Sequence, residues 1–192
     1  MIFKQGNILN FGFKGNVFMK LIMIGNKIAY GKEAKWTHSA IIGEVGEIPE
    51  GPSKGQKGCL VYEALGNGFV KNWYEVWWLI AQIKNGNIIL GETVKPLSKV
   101  KENCEKYLGR PYSWTDILRI SRYILTKGKS INTYDSDKEL ICSEAVARIL
   151  YDSSNKKIVL GYSQTKEESE FDKPFDLITP MDLAISKQIK WK

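Results

Sequence analysis

One cysteine and one histidine in this sequence stand where a thiol nucleophile and its proton carrier would stand. Cys142 falls in Leu140-Ile141-Cys142-Ser143-Glu144-Ala145-Val146-Ala147, at the start of an amphipathic helix. His38, the single histidine of the chain, falls in the strand-like run Trp36-Thr37-His38-Ser39-Ala40-Ile41-Ile42. A helix N-terminus stabilises a thiolate through its dipole and its unpaired N–H groups. An imidazole beside it stabilises the thiolate and then carries the proton through acyl transfer, which is the chemistry of a cysteine hydrolase.

Each residue also has a plainer reading. Cys142 lies on the apolar face of its helix, as core cysteines do, and a lone histidine in a strand is often a satisfied structural group. Position in the first turn is what separates Cys142 from Cys104, on the apolar face of another helix, and from Cys59, at the opening of a strand. Those two read as core residues.

A third group is needed to fix the tautomer and orientation of the imidazole. Glu63 is the best candidate: a carboxylate inside the otherwise apolar run Leu60-Val61-Tyr62-Glu63-Ala64-Leu65. If that strand pairs with the histidine strand, Glu63 and His38 can share a face within hydrogen-bond reach. A solvated Glu on an edge strand is the bland alternative. Glu44, at even spacing from His38, shares its face but stands too far along the strand to touch the ring. Whether Glu63 or a water completes the site stays open at this level.

The elements that must position these groups follow from patterning. Residues 6–13 look like an opening strand, residues 39–45 and 59–65 like two strands joined through a Gly/Pro-rich turn region, and residues 87–92 like a further strand. Residues 19–24 suit a short helix or a buried strand. Residues 73–84 are ambiguous between strand and helix, with the helix preferred. Ser98 is a good N-cap for a helix bearing Val100, Cys104, Tyr107 and Leu108, with Gly109 beyond its end. A second helix spans residues 114–125, the loop 127–138 is polar, and the third helix carries Cys142, Val146 and Ile149 on one face. Thr179 and Pro180 supply the cap and first position of a last short helix. Strands early and helices late argue an α+β fold over residues 1–192 as one domain.

Composition narrows the function. The chain has 192 residues, 43% of them hydrophobic and 26% charged, as in a globular protein with a sizeable core. Three cysteines without Cys-x-x-Cys spacing, and one histidine, argue against a zinc site and fit a reducing compartment. The formal net charge of +7 comes from scattered lysines, so weak contact with an anionic surface is expected and nucleic-acid binding is not. The apolar stretch 17–24 is too short for a membrane span, is broken by Lys20 and lacks a signal-peptide cleavage pattern. A cytoplasmic or viral location is the corresponding expectation.

Two segments resemble a known family. Gly109-Arg110-Pro111-Tyr112-Ser113-Trp114, followed by Ile141-Cys142-Ser143-Glu144-Ala145-Val146, is similar to the Gly-x-Pro-Tyr…Cys-Ser segment of NlpC-type papain-fold hydrolases. In that family the histidine normally follows the cysteine. Here Thr37-His38-Ser39 and Val61-Tyr62-Glu63 precede it, an order that resembles the circularly permuted YiiX/YaeF-like branch, to which lecithin:retinol acyltransferase-type enzymes are related. Ile178-Thr179-Pro180-Met181-Asp182-Leu183 looks like the closing motif of the permuted group. The resemblance implies a permuted papain-like fold, an antiparallel sheet or small barrel packed against the helix that bears the cysteine. It implies Cys142 as nucleophile, His38 as base, Glu63 as orienting group, and the Tyr112 hydroxyl with the Cys142 N–H as oxyanion donors. No metal or cofactor is required. Gly6-Asn7 stands where the group tends to have Gly-Asp, and Ser143-Glu144 departs from the Ser-Gly of wall-cutting members, so wall-peptide specificity does not carry over.

The expected activity is amide hydrolysis on a peptide or amino-acid conjugate through an acyl-cysteine. Transfer of an acyl group from a lipid is the second expectation, with Trp73, Trp77 and Trp78 available for an acyl pocket or, more plainly, for packing. A catalytically silent binding module on the same fold is the third.

Overall fold

A computed structural model describes residues 2–12, 23–24, 27–31, 34–126, 138–162 and 169–192. The readings of residues 19–22 and of the loop 127–137 lie outside these. In chain order the elements are β1 (Ile8–Phe11), β2 (His38–Glu47), β3 (Lys57–Leu65), β4 (Gly68–Glu75), α1 (Val76–Lys84), β5 (Ile88–Thr93) and α2 (Val100–Glu105). They continue with α3 (Trp114–Leu125), α4 (Cys142–Ser153), a 3-10 turn (Phe175–Leu177), α5 (Pro180–Ile185) and β6 (Ile189–Trp191).

The strands form one antiparallel sheet in the order β4-β3-β2-β1-β5-β6. It is open, so of the two forms expected the sheet is found and the small barrel is not. Alternation along the strands gives it two apolar faces. Ile8, Ile41, Leu60, Tyr62, Ala64 and Phe69 face α4 and pack with its Val146, Ile149 and Leu150. Leu9, Phe11, Ala40, Ile42 and Val61 form the other face, covered by α1 through the fully buried Leu79. Burying a side chain of that size contributes about 1.5–3 kcal/mol, so each helix is held to the sheet by a few such residues.

Two local readings are corrected. Residues 73–84 are not one helix: Trp73, Tyr74 and Glu75 finish β4, which pairs with β3 from Gly58↔Glu75 to Leu65↔Gly68, and the helix begins at Val76. Cross-strand pairing wins there over a run whose apolar residues suit both periods. Ser98 does not cap α2. Lys99 holds the N-cap position with φ of 52°, and the Ser98 hydroxyl donates to the Ser153 carbonyl at 3.3 Å. That bond ties the start of α2 to the end of α4 instead. By contrast α3 and α4 begin at Trp114 and Cys142, and Thr179 with Asp182 forms a reciprocal cap on α5.

Candidate active site

β2 starts at His38, and β3 runs beside it as an interior strand. Glu63 stands opposite Ala40, one diagonal step from His38 on the same face, and its Oε2 meets His38 Nε2 at 2.8 Å. Glu63 is 2% exposed and His38 7%, so the bland reading of a solvated edge carboxylate does not hold. Glu44 is elsewhere, paired with Lys101 on the surface.

Cys142 is the first residue of α4, following Ile141 in extended conformation, and is 5% exposed. The helix is brought to the start of β2 by short polar ties. The Ser143 hydroxyl donates to the Ile178 carbonyl at 2.6 Å. The Ser39 hydroxyl donates to Asn10 Oδ1 at 2.6 Å, and Asn10 Nδ2 donates to the Pro180 carbonyl at 2.9 Å. The Thr179–Asp182 cap fixes the segment that offers both carbonyls, with Asp182 Oδ2 accepting from the Thr179 N–H at 2.7 Å. The closing motif thus holds β1, β2 and α4 together around the cysteine.

The electrostatics couple the three groups. Burial alone would push the Cys142 thiol up; the His38 charge, a hydrogen bond to that ring and the N–H groups of Ser39 and Ser143 outweigh it and hold the thiol below its ordinary value. Burial likewise pulls the His38 imidazole down, but the Cys142 charge and hydrogen bond, together with those of Glu63, raise it to about 10. With Nε2 taken by Glu63, the sulfur is served by Nδ1. Glu63 is pushed up by burial, yet its bonds from His38, Asn72 and Tyr74 hold it below the usual carboxylate value. The other two cysteines behave oppositely: burial raises Cys59 to about 11, and it raises Cys104 further.

Tyr112 is half-buried and reaches the neighbourhood of the sulfur through a short parallel bridge to Leu140. Leu140 N–H donates to the Pro111 carbonyl at 3.0 Å and Ser113 N–H to the Leu140 carbonyl at 3.1 Å, so the strand-like segment before the helix carries the tyrosine with it. Burial, with the Cys142 charge added, raises the Tyr112 phenol and keeps it a donor. The structure therefore brings Cys142, His38, Glu63 and Tyr112 into one neighbourhood.

Asn72 and Tyr74 were not found from the sequence. Both donate to Glu63 Oε1, at 3.0 and 2.7 Å. The signal was the Gly66-Asn67 turn: pairing Leu65 with Gly68 across it puts Val70, Asn72 and Tyr74 on the Glu63 face. Of the tryptophans, Trp73 packs against the core and Trp78 stacks on Tyr74 with ring centroids 5.4 Å apart, whereas Trp77 is 61% exposed.

No protein-family model matches the chain. No curated protein matches it either. Among solved structures, the chain is similar to metalloprotein YiiX from Escherichia coli O157:H7, at 16% sequence identity and a TM-score of 0.56, over 98% of this chain and 96% of that one. The donors described here do not fit a resident metal. Among the described residues no three His, Cys, Asp or Glu side chains are grouped to hold an ion, and the one imidazole has Glu63 on its Nε2. No helix among the described residues is long and apolar enough to cross a membrane. The chain has a YiiX-like α+β fold, with its antiparallel sheet left open.

Proposed function

We propose that this protein is a cysteine hydrolase of amide bonds, acting on a peptide or amino-acid conjugate through an acyl-thioester on Cys142. The observation that carries this reading is the placement of the single imidazole between a carboxylate at 2.8 Å and a thiol at a helix start.

In the reaction so read, the Cys142 thiolate attacks the carbonyl carbon, a C–S bond forms and the C=O electron pair moves onto oxygen. The N–H of Cys142 and the Tyr112 hydroxyl donate to that oxyanion, each worth about 3 kcal/mol in comparable sites. The imidazolium gives its Nδ1 proton to the leaving nitrogen as the C–N bond breaks and the carbonyl re-forms. Water then attacks the thioester while His38 takes its proton. The C–S bond breaks, the acid leaves, and thiolate and imidazolium are restored. Glu63 keeps the ring oriented and the imidazolium paired throughout.

The test uses p-nitrophenyl acetate and butyrate as probe acyl donors, followed by peptide mapping for a hydroxylamine-labile acyl group. Acylation confined to Cys142, lost in Cys142→Ser and His38→Ala, with free acid as product, supports the reading. Acyl product that appears only when an acceptor lipid is present would replace hydrolysis with acyl transfer. Acylation absent from Cys142 would leave a silent binding module on this fold.

A further inference from the structure

The two oxygens of Glu63 have separate partners. Oε2 accepts from His38 at 2.8 Å, while Oε1 accepts from Tyr74 Oη at 2.7 Å and from Asn72 Nδ2 at 3.0 Å. Both donors come from β4, where pairing of Val61 with Asn72 and of Cys59 with Tyr74 lines them up on the Glu63 face. Asn72 stands diagonal to Glu63, and Tyr74, one step further, reaches back with its phenol. Its ring is held by Trp78 of α1, with centroids 5.4 Å apart. Tyr74 and Trp78 also line an open cleft of about 390 Å³, with Ile48, Ser53, Trp73 and Glu75 among others. Tyr74 therefore donates to the carboxylate and also lines that cleft.

We infer that Tyr74 and Asn72 are positioning residues, which hold Glu63 ionised and turned toward His38 so that the imidazolium keeps its counter-charge. Their place in a reaction rests on the reading given under Proposed function. The physical need is plain. A carboxylate only 2% exposed would take up a proton rather than stay charged, unless donors replace the water it has lost. Three donors do so here. With Oε1 fixed by two of them, Oε2 has one direction left to face, and the ring is aimed as a consequence.

Because the chain has one histidine, its ring ¹⁵N signals report on Glu63 without ambiguity. The experiment follows those signals in wild type, Tyr74→Phe and Asn72→Ala as pH falls below neutrality. Protonation of Glu63 appears as a step in the His38 shifts. Tyr74→Phe keeps the ring against Trp78 and loses the donor, and the step is expected to rise by about one pH unit, a tenfold change in the ionisation constant. Asn72→Ala is expected to raise it similarly. A step unmoved in folded Tyr74→Phe and Asn72→Ala overturns the inference. If Tyr74→Phe does not fold, Asn72→Ala alone decides. The signals read Glu63 whether or not Cys142 turns over substrate, so a shifted step beside an inert cysteine fails the proposed reaction and not the positioning.

Discussion

Replacing His38 with alanine removes the cation that holds the Cys142 thiol down while leaving α4 and its burial in place. The size of the effect follows from the molecule's own cysteines. Cys142 sits below the ordinary thiol value of 9.0 because His38 and the Ser39 and Ser143 N–H groups overcome burial. Cys59, buried with no cation beside it, is raised to about 11. Converting the first environment toward the second moves the thiol up, in the direction of the Cys59 value of about 11, and so cuts the thiolate fraction at neutral pH. Water entering the space left by the ring returns part of this, so an expected loss of about 10- to 100-fold remains. The assay is iodoacetamide alkylation from pH 5 to 10, mapped peptide by peptide, with Cys59 and Cys104 as internal references (the pH limits are about the working range of the reagent). Refutation would be a Cys142 rate profile unchanged by His38→Ala in folded protein, since the imidazolium would then not be what lowers the thiol.

Tyr112→Phe should lower turnover of p-nitrophenyl butyrate by about 10²-fold while leaving the Cys142 alkylation profile in place; turnover within a factor of about three of wild type would remove Tyr112 from the oxyanion role. Glu144 gives a pH-dependent stability. Burial outweighs its bond from Arg148 at 2.8 Å and raises its carboxyl to about 8 from 4.5, so between those values the folded chain holds a proton that the unfolded chain has lost. Wild type must then lose stability through Glu144 as pH rises from 4.5 to about 8, and Glu144→Gln should gain relative to it across that window; a urea-melt difference flat with pH would contradict this. Gly43→Ala should cost about 1–3 kcal/mol in urea denaturation, because a Cβ there would lie 2.2 Å from the Tyr62 ring; an unchanged midpoint would mean the ring yields freely.

Much of the site was legible in sequence because its parts sit at element ends, where the signals are local. Ile141 extended before an amphipathic run marks the start of α4, and Thr179-Pro180 with Asp182 marks α5 through its reciprocal cap. Pairing of the His38 and Glu63 strands was suggested by two adjacent apolar runs, and the register that sets Glu63 opposite Ala40 puts both residues on one face. Other parts depended on tertiary choice. Val76-Trp77-Trp78-Leu79-Ile80 fits a strand and a helix alike, and only pairing of Trp73, Tyr74 and Glu75 with β3 puts the boundary at Val76. Preferring helix from residue 73 onward hid Tyr74, and Asn72 just before it carries no signal of its own, since the approach of both to Glu63 exists only in a hairpin. Ser98 has a capping residue's chemistry but spends its hydroxyl on Ser153, a partner 55 positions away. β6, of three residues, is too short to carry a period, and its pairing with β5 defines it.

As proposed, Cys142 and His38 rest as a thiolate–imidazolium pair steadied by Glu63. The single imidazole allows it to be read directly, by ¹⁵N NMR of His38 in the unmodified chain from neutral pH upward. The pair predicts both ring nitrogens still protonated well above 6.5, with the proton leaving only near pH 10. A ring that is already neutral by about pH 7, as an unpaired histidine would be, contradicts the account.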